Sequence, residues 1–169
     1  MELKLRTKRW LLAITLLVSV SACADDARLA NKSAPEALSV EKISMDVYKS
    51  RTCGCCEKWI DHIEDFGFEA SLHHPTDLNK VKSDLGITPR YQSCHTAVSK
   101  DGYVFEGHIP ANMIQRFLAN PPQNAIGLAV PGMPAGSPGM EMGDRKQAYN
   151  IFLLKKGGGD EIYEQIEGS

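Results

Sequence analysis

The chain has 169 residues, of which 19 are Lys or Arg and 21 are Asp or Glu, for a formal net charge of −2; 43 % of its residues are hydrophobic. That length is enough for one ordinary domain with a proper core. The charge offers no basic excess of the kind nucleic-acid binding needs, so nucleic acid is excluded as a partner.

Residues 1–9 carry Lys4, Arg6, Lys8 and Arg9, an apolar run follows from Trp10 to Val20, and small residues close it at Ser21, Ala22 and Ala24. A basic head, a short apolar stretch and a small-residue exit make a secretory signal. The run is about half of the roughly 20 residues that span a bilayer, which argues against a permanent membrane helix. Val20-Ser21-Ala22-Cys23 resembles a bacterial lipobox with Cys23 as the lipidated residue, while Ala22-Cys23-Ala24 fits ordinary cleavage near residue 24. Residues 1–22 thus read as a signal peptide for the periplasm, and residues 23–42, polar and aperiodic, as a flexible tether. Any membrane contact would run through an N-terminal lipid. From Cys23 onward 147 residues remain, with 15 basic and 20 acidic, a net charge of −5.

The expected domain covers residues 43–156. Met45 to Lys49 alternates and predicts a first strand. Trp59, Ile60, Ile63 and Phe66 keep helical spacing from Cys56 onward, and Gly67 supplies a stop. Phe68 to Leu72 predicts a second strand. Thr76 or Asp77 can cap a helix carrying Leu78, Val81 and Leu85, ended by Gly86. Cys94 to Ser99 and Tyr103 to Ile109 flank Lys100-Asp101-Gly102, a hairpin signal. Pro110 suits the first turn of a helix with Met113, Ile114, Phe117 and Leu118, which stops at Pro121-Pro122. The order β-α-β-α-β-β-α predicts an α/β, thioredoxin-like core. Gly127 to Gly143, with three prolines, five glycines and three methionines, reads as a loop, and Tyr149 to Leu154 as an added C-terminal strand. Residues 157–169 read as a polar tail.

Chemistry concentrates at Cys53-Gly54-Cys55-Cys56. Cysteines of an exported domain normally staple it, yet three of the four after Cys23 fall within four residues, where they close no useful loop. Cys53 and Cys56 sit at a helix start, where unpaired N–H groups and the helix dipole favour thiolates. The thiolate is both nucleophile and metal ligand. The third thiol, Cys55, is a wrong partner for a dithiol exchanger but completes coordination of a soft ion such as Cu(I). A three-residue turn centred on Asp101 sets Cys94 opposite His108; a two-residue turn sets His95 opposite His108 instead. Either register brings His108 to the Cys94-His95 pair. Met133, Met140 and Met142 add thioethers, which favour Cu(I) over zinc. His62 reads as solvated, and His73 and His74 point opposite ways on an extended chain.

The runs YKSRTCGCCEKWIDHIEDFGFE, SCHTAV, DGYVFEGHIP and GLAVPGMPAGSPGMEMG, in this order over residues 44–155, resemble the CopG-type periplasmic copper-resistance family. The resemblance implies a thioredoxin-like fold and copper held by Cys53, Cys55, Cys56, Cys94, His95, His108, Met133 and Met140, as several Cu(I) ions per chain. It also implies interconversion of Cu(I) and Cu(II), a copper oxidoreductase activity that the residues by themselves leave open. Partners would be copper ions and copper-efflux or copper-transfer proteins of the periplasm. A thiol–disulfide oxidoreductase using Cys53 and Cys56 is the alternative. Against it, thioredoxin-like exchangers carry a proline just before the third strand, where this chain has Ser93-Cys94. A zinc-stabilised structural domain with closed Cys/His coordination would leave the methionine loop unexplained.

Overall fold

The computed structural model describes residues 41–169. The expected signal peptide, Cys23 and nearly all of the tether lie outside the described residues. Strand β1 spans Ile43–Lys49 and feeds α1, Gly54–Asp65. The helix buries Cys56, Trp59, Ile60 and Ile63. It ends where Gly67, at φ +86°, adopts the left-handed conformation that its missing Cβ permits. Strand β2, Phe68–His73, returns parallel to β1. Helix α2, Leu78–Asp84, is capped by Asp77, whose carboxylate accepts from the Lys80 N–H at 2.9 Å. Its buried residue is Lys82, while the expected apolar stripe of Leu78, Val81 and Leu85 is only half-buried. A 3-10 turn, Pro89–Tyr91, leads into β3, His95–Ser99.

The β3–β4 hairpin takes the three-residue turn. Ser99 N–H donates to the Tyr103 carbonyl and Gly102 N–H to the Ser99 carbonyl, both at 2.9 Å. Thr96 faces Glu106 and Ala97 faces Phe105. Strand β4 is shorter than expected, Val104–Glu106, because Gly107 turns the chain at φ +78°. Helix α3 spans Ala111–Ala119 with Pro110 just before it.

The element order to this point is the expected β-α-β-α-β-β-α. Beyond it, two expectations are corrected. Ala125–Ala129, partly inside the segment read as loop, forms β5 parallel to β4. The residues read as a polar tail form β7, Asp160–Ile166, paired antiparallel with β6, Tyr149–Lys155. Gly157 and Gly158 make the connecting turn with φ of +87° and +90°.

The result is a mixed α/β domain with three helices and one seven-stranded sheet in the order β2-β1-β3-β4-β5-β6-β7. One core packs Trp59, Ile60 and Ile63 of α1 and Ile114 and Phe117 of α3 against Val47, Phe105 and Leu128 of the sheet. A smaller cluster around Ile87, Tyr91, Val104 and Leu154 takes up Leu85 at the end of α2. The end of β1 and the start of β3 bring Lys49 to Glu57 and His95 to Trp59 of α1, and the Gly107 turn after β4 brings His108 to Cys94. No helix among the described residues is long and apolar enough to cross a membrane.

Candidate metal centre

Cys53 is the residue before the first turn of α1, and no side chain caps that helix. The helix's unpaired N–H groups are thus left to the cysteine cluster, an arrangement that favours negative charge on sulfur. The Sγ atoms of Cys53, Cys55, Cys56 and Cys94 all lie within 4.8 Å of one another. Cys53 and Cys56 are joined by a disulfide with their Cα atoms 5.3 Å apart, while Cys55 and Cys94 are free. The free thiols bridge the two parts of the site: Cys55 Sγ is 3.5 Å from Cys53 Sγ and 4.0 Å from Cys94 Sγ.

The hairpin register delivers the rest. Cys94 Sγ is 3.0 Å from His108 Nε2 and 3.3 Å from His95 Nδ1. These three residues form a second group within metal-ligating distance, with Cys94 common to both. His108 Nδ1 donates to the Pro138 carbonyl at 2.7 Å. That bond leaves Nε2 with its lone pair aimed at sulfur, the support a ligating imidazole normally has. Burial lowers the His108 pKa, and burial followed by the nearby His108 and Lys82 charges holds His95 well below its ordinary value. Both rings are therefore neutral at pH 7. Burial, then the facing Cys55, pushes the Cys94 thiol up to about 12. Without metal it keeps its proton and donates to His108; a bound cation would displace that proton. His95 packs on Trp59 with ring centroids 4.2 Å apart, and its Nε2 is buried without a hydrogen-bond partner.

The Gly/Pro/Met segment lies against this cluster. A Cβ on Gly139 would sit 2.7 Å from the Cys55 carbonyl oxygen and 2.9 Å from the Trp59 nitrogen, so only glycine allows the approach. Met140 follows it, half-buried. Met133 is 53 % exposed beside a cavity of about 360 Å³ lined also by Pro134, Tyr149 and Phe152. Met142, also exposed, forms an isolated bridge with Arg145.

The other histidines have other work. His62, expected in solvent, is half-buried and accepts from the Ala111 N–H at 3.1 Å. It caps α3, where Pro110 has no side-chain acceptor. His73 is bonded to Asp46 at 2.7 Å and stacked on Tyr48, and His74 contacts the Lys49 carbonyl at 3.1 Å. Three charged side chains near the site are buried: Lys49, Lys82 and Glu106. Lys49 is fully buried and pairs with Glu57 at 2.6 Å. Lys82 and Glu106 form a buried ion pair that includes Thr96, and Glu106 also accepts from the Ser93 N–H at 2.6 Å, fixing the chain just before Cys94. For the two lysines, the signal in the sequence is a lysine facing into an apolar pattern.

Fold and site together describe a mixed α/β protein carrying a sulfur-rich, imidazole-flanked cluster suited to a soft metal. Two solved structures, titled copper resistance protein copG in a Form 1 and a Form 2, are 43 % and 42 % identical to this chain. They cover 76 % and 75 % of it and match over their entire length, each with a TM-score of 0.71. The chain belongs to this CopG copper-resistance family. A family profile described as protein of unknown function, DUF411, matches residues 91–140, which hold Cys94, His95, His108, Met133 and Met140. No curated protein matches the chain.

Proposed function

We propose that this chain is an exported copper-binding protein of copper resistance that holds Cu(I) through Cys53, Cys55, Cys56 and Cys94, with His95 and His108 beside them. The observation that carries the reading is the meeting of four sulfurs within 4.8 Å of one another. Thiolates at that spacing suit Cu(I), which prefers soft donors and low coordination numbers. Metal binding through all four requires the Cys53–Cys56 bond to be open. Cys94, common to the thiol group and the imidazole group, gives copper two kinds of neighbour, softer on one side and harder on the other, which supports a role in exchanging Cu(I) and Cu(II). Met133 and Met140 would extend the donor set. The β2-β1-β3-β4 part of the sheet with its three helices supports the thioredoxin-like reading of the fold.

The test is anaerobic Cu(I) loading of the reduced chain, read by metal analysis and X-ray absorption. More than one copper per chain, lost on Cys53→Ser or Cys55→Ser, is the expected result; near-zero copper with rapid reduction of insulin would sink it.

The disulfide favours a second reading, thiol–disulfide exchange by Cys53 and Cys56. That same insulin assay decides between them. Periplasmic export and lipidation at Cys23 complete the proposal, resting on residues 1–24. Cell fractionation and incorporation of labelled palmitate, abolished by Cys23→Ser, check both. Its natural counterparts would be copper-transfer or copper-efflux proteins of that compartment.

A further inference from the structure

The cysteine motif is straddled by one buried cation. Lys49 ends β1, is fully buried, and faces His95 across the β1–β3 ladder. Its ammonium donates to the Ser50 carbonyl at 3.0 Å, and that same carbonyl accepts from the backbone N–H of Cys53 at 3.3 Å. On the other side the ammonium pairs at 2.6 Å with Glu57, the residue that follows Cys56. Lys49 therefore touches the start of the turn that leads into the motif and the residue that follows it. A buried ammonium is costly unless it meets opposite charge. Glu57, 51 % exposed, meets that need only partly, since half of its own field is spent in water.

We infer that Lys49 is a positioning residue for the Cys53–Cys56 bond: its buried ammonium fixes the turn that presents Cys53 and stabilises the thiolate that Cys56 becomes when the bond is opened.

The chemistry assigns the sulfurs distinct parts. Cys56 is fully buried and Cys53 half-buried, so an external thiolate reaches Cys53. With glutathione as the reductant, its thiolate forms a new S–S bond to Cys53 Sγ. The Cys53–Cys56 bond breaks and its electron pair leaves on Cys56 Sγ as a thiolate. A second glutathione then releases Cys53, giving two cysteine thiols and one oxidised glutathione. Exchange rates depend on the leaving sulfur's ability to carry charge. The charge develops next to Glu57, whose carboxylate repels it, and in the field of Lys49, which attracts it.

This inference rests on the reading of these cysteines as working thiols, and its test uses no copper. The probe is the second-order rate of Cys53–Cys56 reduction by glutathione in the full chain, at fixed pH, read by alkylation and mass spectrometry. Lys49→Met should slow reduction about tenfold, equivalent to about 30 mV if the whole effect appeared in the equilibrium. Glu57→Gln, at a surface position, should speed it about threefold. Lys49→Arg should restore most of the rate. Opposite signs for the two partners of one ion pair are what charge demands and what loss of packing cannot produce. Rates that fall in both variants, or that Glu57→Gln leaves unchanged, overturn the inference. Should Lys49→Met fail to fold, the sign of the Glu57→Gln effect decides alone. A chain that shows the opposite signs yet binds no copper would keep this inference and sink the copper reading.

Discussion

The two halves of the site are built by different means. The thiol half sits on four successive residues of one turn, and oxidation closes two of its sulfurs into a disulfide. The imidazole half is assembled from His95 at the start of β3 and His108 in the turn after β4, and is braced from outside by Pro138 and by the Lys82–Glu106 pair. Neither histidine of that second half belongs to the disulfide-bonded motif, and their bracing partners lie on other elements. One half is therefore adjustable and local, the other constant and dependent on the whole domain. Cys94 is where they meet.

The largest expected effect strikes the constant half through its brace. Glu106→Gln leaves the Lys82 ammonium buried without its counter-charge, which should cost about 3–5 kcal/mol by urea unfolding. The double change with Lys82→Met should recover most of it. Reduction of Cys53–Cys56 by glutathione should be unaffected in the folded variant, and a large change there would erase the distinction between the halves. Cys94→Ser removes the shared atom. Its loss of Cu(I) affinity, by competition with a chromogenic chelator, should exceed the ~10–100-fold typical of an outer-shell change. A loss no larger than that of Cys55→Ser would mean Cys94 belongs to one half only.

Gly139→Ala pushes the Gly/Pro/Met segment off α1 and loosens the His108–Pro138 bond. At φ +82° with a 2.7 Å clash, about 1–3 kcal/mol of stability should be lost, together with a weaker nitrogen signal in X-ray absorption of the copper-loaded chain.

Acid should also reach the imidazole half first. His95 and His108 have folded pKa values below 6.5, so the unfolded chain binds more protons than the native one as pH falls past 6.5. Stability of the copper-free chain should drop by about 1–2 kcal/mol between pH 7 and pH 5.5. His108→Asn should flatten that slope. Glu106 opposes it only at lower pH, because burial raises its carboxyl above 4.5 and the native state gains protons there. The smallest effect is expected from His73→Asn: His73 is engaged by Asp46 and Tyr48, so copper per chain should stay the same.

The same contrast explains what could be read from residues alone. Cys53, Cys55 and Cys56 announce themselves by spacing, and the Asp101-Gly102 turn narrows His108 to two registers, of which the structure takes the one opposite Cys94. Strand β5 was hidden because its middle residue is Gly127, where a Cβ would lie 1.7 Å from the Val104 carbonyl oxygen; glycine there serves close strand packing rather than a loop. Strand β7 was hidden because it is an edge strand carrying Asp160, Glu161 and Glu164, the charges that protect an edge also masking its pattern. The roles of Lys49, Glu106 and His62 depend on partners distant in sequence, which no periodicity encodes.

The bond from His108 to Pro138 ties the aim of one nitrogen to a distant segment. An imidazole free of that carbonyl can carry its proton on either nitrogen, so the His108 Nε2 lone pair is fixed toward Cys94 only where a segment thirty residues downstream has docked. A chain ending before that segment would keep every cysteine yet lack the means to aim its histidine. The three adjacent sulfurs depend on one turn of helix, whereas the aimed nitrogen depends on contacts across the domain.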